Sequence, residues 1–230
     1  MKNYLLIFIL SIFTFGCKSG SSNNEAHLKS HQELNDFVLQ SVKKVEQEVS
    51  DLGTKLKSTY SNNKDTNLNA VTETELSSFY VPKTAPKTPT LERFRIASRV
   101  LDSSFEKFHK ETEFTSWHYV YDSDTKSLRI YPRTNPSSFF GEDLTFDSFS
   151  FFKLAVENFH LGVWGDLKED IKGTGKIVIF SKAILLDGHK NMTVAGIDLH
   201  ILSVFKHFGD KILEQAASRP SSHTFFLCIY

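Results

Sequence analysis

The chain has 230 residues, of which 27 are Lys or Arg and 27 are Asp or Glu, so its formal charge is zero. A nucleic-acid binder needs a basic excess to displace counterions from phosphate, and that function has no electrostatic basis here. Hydrophobic residues make up 40% and charged residues 23%, which excludes a disordered chain and is enough to bury the core of one large domain or two small ones.

Residues 1–16 stand apart from any fold. Lys2 is a short positive n-region, and Tyr4 to Phe15 is an apolar stretch of about a dozen residues. A comfortable membrane span needs roughly 20, so a secretory signal is the better reading. The stretch ends in Thr14-Phe15-Gly16-Cys17. A small residue before Cys resembles the bacterial lipobox, which implies a lipid on Cys17. Thr14 stands where that motif usually has an aliphatic residue. The alternative is an ordinary signal peptide, or an uncleaved anchor, with an incidental Cys. Residues 17–25 continue as Lys-Ser-Gly-Ser-Ser-Asn-Asn after the Cys, a flexible polar tether. The other Cys is Cys228, in an apolar run. It reads as a buried thiol, without the basic neighbour that would make it a nucleophile. A lipid on Cys17 would leave it no disulfide partner.

Residues 26–60 have a helical period. Leu34, Val38, Val42, Val45, Val49, Leu52 and Leu56 recur three or four positions apart. Two readings of this narrow stripe compete: it packs along a sheet, or it pairs with a second helix as a short coiled coil. His27 and His31 are four apart but no third ligand accompanies them, so they read as surface histidines. Residues 61–90 form a break that ends in the Pro-rich connection 81–89. Thr90 is the expected N-cap of one second helix, running from Leu91 to Phe108 with a broad apolar face.

Trp117 to Tyr121 and Ser127 to Pro132 read as the two strands of a hairpin, with Asp122 to Lys126 as its turn. Arg129 lies between Leu128 and Ile130, so it faces away from both, together with Tyr131. A short amphipathic helix is expected at 149–159, strands at 177–181 and 192–199, a helix from Leu199 to Ala217, and a last strand at 221–230. Hairpins rather than regular alternation of strand and helix predict an antiparallel sheet with helices packed to one side, an α+β class. Gly173-Thr-Gly-Lys176 is no phosphate loop, because a strand and not a helix follows. No nucleophile–base pair, zinc-spaced cluster or Gly-x-Ser-x-Gly motif is present.

Four features follow in a fixed order. The hairpin carries Tyr121, Asp124 and then Arg129. Asp147-Ser-Phe-Ser-Phe-Phe-Lys-Leu-Ala155 is an acidic-aromatic helix. Trp164-Gly-Asp-Leu-Lys168-Glu-Asp170 leads to the Gly173 and Gly175 turn and a strand. Asp187-Gly188 precedes Val194-Ala-Gly196-Ile-Asp198. Together, residues 117–202 resemble a Cache domain of the two-module (dCache) type, the extracytoplasmic relative of the PAS fold. The resemblance implies an antiparallel PAS/Cache-like sheet over residues 26–218 with a long N-terminal helix and flanking helices. Residues 219–230 would then begin a second, membrane-proximal module that is incomplete here.

The resemblance also implies a site. Arg129 matches the residue that holds a ligand carboxylate, and Asp170 and Asp198 match the two acids that hold its amine. Tyr131 stands where Trp is usual, and Lys168 where Tyr is usual. Tyr121 and Trp164 would complete the wall. A cation at 168 argues against a plain α-amino acid and leaves room for an organic acid or another small ligand. Read without the resemblance, Arg129 is a surface residue and Asp170 a turn former, whereas Asp198 in an apolar strand needs a partner. The implied function is small-molecule sensing on a lipid-anchored envelope protein, without catalysis, cofactor or metal. Its partners would be the ligand, the membrane, and a protein or second copy contacting the 26–60 helix. The alternative is a surface lipoprotein that uses the fold for protein contact, with no working pocket.

Overall fold

The computed structural model describes residues 24–62, 75–143 and 145–217. The signal, Cys17, the tether, the expected strand 221–230 and Cys228 lie outside these residues, as do the side chains of His27 and His31. Among the described residues no helix is long and apolar enough to cross a membrane.

The sheet has seven strands: β1 (Ser78–Tyr80), β2 (Thr115–Asp122), β3 (Ser127–Tyr131), β4 (Val163–Trp164), β5 (Lys168–Glu169), β6 (Lys176–Ile184) and β7 (Thr193–His200). Their order is β1-β3-β2-β7-β6-β4, with β5 also on β6. Every pairing is antiparallel. One face carries α1 (Asn24–Asn62), α2 (Pro89–Arg99), α3 (Asp102–Glu111) and α6 (Ile201–Ala217). The other is covered by α5 (Ser150–Glu157) and the single turn Phe146–Ser148, which α4 (Ser137–Phe140) precedes in the chain. The class is α+β, with the long N-terminal helix and antiparallel sheet expected from the sequence.

The competition over α1 is resolved by its stripe. Leu34, Val38, Val45, Val49, Leu52, Leu56 and Tyr60 are buried in one cluster with Val178, Phe180, Ala195, Ile197 and Leu199 of β6 and β7. The apolar positions therefore meet the chain's own sheet. Gly53, unfavourable in a helix, marks the close approach: a Cβ there would lie 3.0 Å from Ile184 Cδ1.

Strand alternation gives the sheet two different cores. Val120, Val178, Phe180, Ala195, Ile197 and Leu199 face the α1 side. Trp117, Tyr119, Tyr121, Leu128, Ile130, Ile177, Ile179 and Val194 face α5, where Phe146, Phe151 and Phe152 close over them.

Three expectations need correction. The helix 91–108 is two helices, broken at Val100-Leu101, where the Leu101 amide donates to Ser98 O at 3.1 Å. The break opens α3 with Asp102, which is buried and accepts from Ser77 Oγ at 2.6 Å. The N-cap is Thr88 rather than Thr90: its hydroxyl accepts from the Leu91 amide at 3.1 Å, with Pro89 in the first turn. Leu199 belongs to β7, paired with Val178 and Thr115, so the following helix starts at Ile201. One strand, β1, lies inside the segment read as a break. Its three residues are too few for periodicity to show.

A buried polar chain ties the end of α1 to the hairpins. His189 Nδ1 lies 2.9 Å from Asp122 Oδ1, and its Nε2 lies 2.7 Å from the Tyr60 hydroxyl. Thr193 and Thr125 hydroxyls each donate to the same carboxylate at 2.6 Å. Asp122, which the sequence presented as a turn residue, is a fully satisfied buried acid, the condition under which such a group is tolerated.

Candidate functional site

Which side chains can meet is decided by strand register. Residues directly opposite one another on paired strands share a face. Val120 is opposite Arg129 on β3 and Ala195 on β7, so Arg129 belongs to the α1 side. Tyr119 is opposite Gly196, and Asp198 is two residues further along the same strand, so both belong to the α5 side. The expected arrangement of Arg129 opposite Asp170 and Asp198 is therefore not formed.

Arg129 is fully buried, and its donors are committed within the chain. Nε donates to Ser98 Oγ at 3.0 Å, Nη1 to Ser77 Oγ at 2.9 Å and Nη2 to Arg95 O at 3.0 Å, while Asp102 Oδ1 lies 3.8 Å away. Tyr131 is on the same face, with its ring 5.4 Å from His109 and 5.8 Å from His118. Trp164 is there too. It packs 5.0 Å from the Phe180 ring and donates from Nε1 to Glu46 Oε1 of α1 at 3.0 Å. Tyr121 is on the α5 side, but its hydroxyl donates to Asp147 Oδ2 at 3.2 Å. Of the residues named from the sequence, the structure brings together Lys168, Asp170 and Asp198.

Asp170 sits in the turn between β5 and β6. Its amide donates to Gly175 O at 2.8 Å, closing a loop in which Gly173 and Gly175 take positive φ, 68° and 128°. Its buried carboxylate accepts from Trp117 Nε1 at 3.3 Å, from the Lys172 amide at 3.4 Å and from Thr174 Oγ1. The residue is a turn former and a wall of the site at once.

Asp198 is buried from β7, and its Oδ1 has no hydrogen-bond partner. Burial pushes its carboxyl up to about 7; the Lys168 ammonium and the Tyr119 hydroxyl oppose that rise, and Asp170 adds to it. Tyr119 is equally enclosed, and its hydroxyl also lacks a hydrogen-bond partner. Burial first, then Asp198, holds that phenol well above its ordinary range. Its ring lies over Gly196, where a Cβ would fall 2.6 Å from the ring, so only glycine admits it.

Lys168 reaches in from β5 to lie half-buried, with Nζ 5.2 Å from the Phe151 ring centre. Burial lowers its pKa, and Asp198 and Asp170 pull it partly back. Lys172 places Nζ 4.2 Å over the Trp117 ring. Phe151 connects the two halves, its ring 5.5 Å from that of Tyr119. The result is an aromatic-walled patch holding two acids, two ammonium groups and a phenol.

Trp117, Tyr119 and Lys172 were not singled out from the sequence. A signal existed, since Trp117 and Tyr119 are two apart on one strand and Lys172 is two past Asp170. Among the described residues no group of three or more His, Cys, Asp or Glu is placed to hold a metal. A small crevice on the α1 side, between Val38, Trp164, Leu199 and Phe205, is apolar and separate from this patch.

No protein-family model matches the chain, and no curated protein matches it. Solved structures do. The ligand-binding domain of the Pseudomonas fluorescens chemoreceptor CtaA, in complex with L-valine, is 16% identical over 45% of this chain and 44% of that one, with a TM-score of 0.34. The ligand-binding domain of the Campylobacter jejuni chemoreceptor Tlp3, in complex with 4-methylisoleucine, is 15% identical over 82% and 65%, with a TM-score of 0.39. The sensory domain of Tlp3 with isoleucine bound is 14% identical over 84% and 68%, with a TM-score of 0.39. The chain thus spans less than half of the first domain, 44%, and about two thirds of the Tlp3 domains, 65% and 68%. These neighbours are ligand-binding or sensory domains of chemoreceptors.

Proposed function

We propose that this chain is a sensor-type, Cache-like module that binds a small molecule outside the cytoplasm, and that Cys17 anchors it to a membrane as a lipoprotein. One observation carries the ligand site. Asp198 Oδ1 and the Tyr119 hydroxyl are both enclosed beside Lys168, near enough to influence each other but with no hydrogen bond closed between them or to any other group. Leaving such a group unsatisfied costs about 1–3 kcal/mol, and a ligand that hydrogen-bonds to this pair would recover that cost. Binding there would act on β7, which runs directly into α6 three residues after Asp198. The commitment of Asp170 to Trp117 and Thr174 makes it a support for the site, and Asp198 the group that faces the ligand.

The test is ligand-dependent thermal unfolding of the whole chain against amino acids, amines and organic acids. A ligand at one hundred times its Kd adds about 2.7 kcal/mol to the folded state. We expect at least one class to raise the melting temperature, and Asp198→Ala to remove that rise while the protein stays folded. No rise with any class at millimolar concentration would sink the site. For the anchor, mass spectrometry of the mature protein should find a diacylated or triacylated Cys17 as the first residue; an unmodified start elsewhere overturns it. A contact with a partner or second copy through the 26–60 helix would use its outer face, because the apolar stripe is spent on the sheet.

A further inference from the structure

The hydrogen-bonding capacity left open at this site is mainly donor and cationic. Arg129, which the sequence placed against a carboxylate, is on the other face with its guanidinium bound to Ser77, Ser98 and the Arg95 carbonyl. Asp170 accepts from two side chains and one amide. What remains is Lys168 Nζ, Lys172 Nζ, the Tyr119 hydroxyl and Asp198 Oδ1. Among the described residues both ammonium groups rest on aromatic rings, and neither has an ion-pair or hydrogen-bond partner. A ligand amine would be drawn to Asp198 but repelled by Lys168, and Asp170 is already bonded to Trp117, Thr174 and the Lys172 amide. An anion meets the opposite situation, because a half-buried ammonium is weakly screened and each of its bonds to a carboxylate is charge-assisted.

We infer that the site selects a small carboxylate with a hydroxyl beside it, a 2-hydroxy acid, with Lys168 as the residue that sets this specificity. The carboxylate takes its hydrogen bonds from Lys168 and the Tyr119 hydroxyl, and Lys172 adds an attractive field at the rim. The ligand hydroxyl donates to Asp198 Oδ1. Trp117 and Phe151 lie against the two ammonium groups and would flank a ligand held by them. This assignment rests on the ligand-site reading above. It differs in naming the charge of the ligand and in making Lys168, rather than Arg129, the carboxylate anchor.

Isothermal titration of the full chain with L-lactate and glycolate, against L-valine and putrescine as amine-bearing probes, tests it. We expect the hydroxy acids to bind and the amines to bind at least tenfold more weakly. Lys168→Met should weaken hydroxy-acid binding at least tenfold, and Lys168→Arg, which keeps the charge, should retain part of it. Circular dichroism on each variant confirms the fold. Unchanged lactate and glycolate binding in folded Lys168→Met overturns the role of Lys168. If valine or putrescine binds in preference, and Asp198→Ala abolishes that binding, the site stands and the ligand class falls. If no probe binds, and no member of the wider thermal panel does, both readings fail together.

Discussion

Arg129→Met is expected to lower the free energy of unfolding by about 3–5 kcal/mol, the range for breaking a buried ion pair from one side. The guanidinium is fully buried and ties β3 to three other segments: Ser77 ahead of β1, Arg95 and Ser98 of α2, and Asp102 of α3. Removing it takes a cation from the buried Asp102 and a donor from each serine hydroxyl. Methionine fills the volume and replaces none of the bonds. Arg129→Lys should also be costly, since one ammonium cannot reproduce a fork that bonds in three directions. Urea denaturation should show a lower midpoint with an unchanged slope. If the variant is as stable as the parent but has lost ligand binding, Arg129 is a ligand residue after all.

Asp198→Asn should stabilise the protein, increasingly so as pH rises. The carboxyl titrates near 3.8 when exposed and at about 7 in the fold. Its folded pKa lies above the unfolded one, so the folded state binds the extra proton. Stability is therefore highest below about pH 4 and is lost as pH climbs to about 7, after which the penalty is constant. At roughly 1.36 kcal/mol per pKa unit, the full penalty is on the order of 4 kcal/mol. Asparagine cannot ionise and escapes it. We expect little difference between the two proteins at pH 4 and a gain of about 2–4 kcal/mol for the variant at pH 8, by denaturant titration at each pH. A gain independent of pH would mean that Asp198 is not the group being desolvated.

Much of this architecture is legible in the order of residues. The stripe from Leu34 to Leu56 repeats at helical spacing, and the alternation of Trp117 to Tyr121 and Ser127 to Tyr131 around a polar turn leaves little choice but a hairpin. Asp198 attracts attention because an acid inside an apolar strand must be accounted for. Other features left no local trace. His189 joins Asp122 from 67 positions away and Tyr60 from 129. The break at Val100-Leu101 has no Gly or Pro to mark it, and it sets Asp102 beside Ser77 and Arg129.

Arg129 marks the boundary between the two kinds of knowledge. Its sequence neighbours dictate that it faces away from Leu128 and Ile130 and shares a face with Tyr131, and that is what the structure shows. They cannot say whether that face is also the face of Asp198, because the answer depends on the register of β3 against β2 and of β2 against β7. Side chains alternate with a period of two, so one residue of slip would exchange the faces. Element types, the faces within each strand and the buried character of Asp198 follow from local chain chemistry. The meeting of Lys168, Tyr119, Trp117 and Asp198, and the exclusion of Arg129 from them, follows from long-range hydrogen bonding that a linear pattern does not encode.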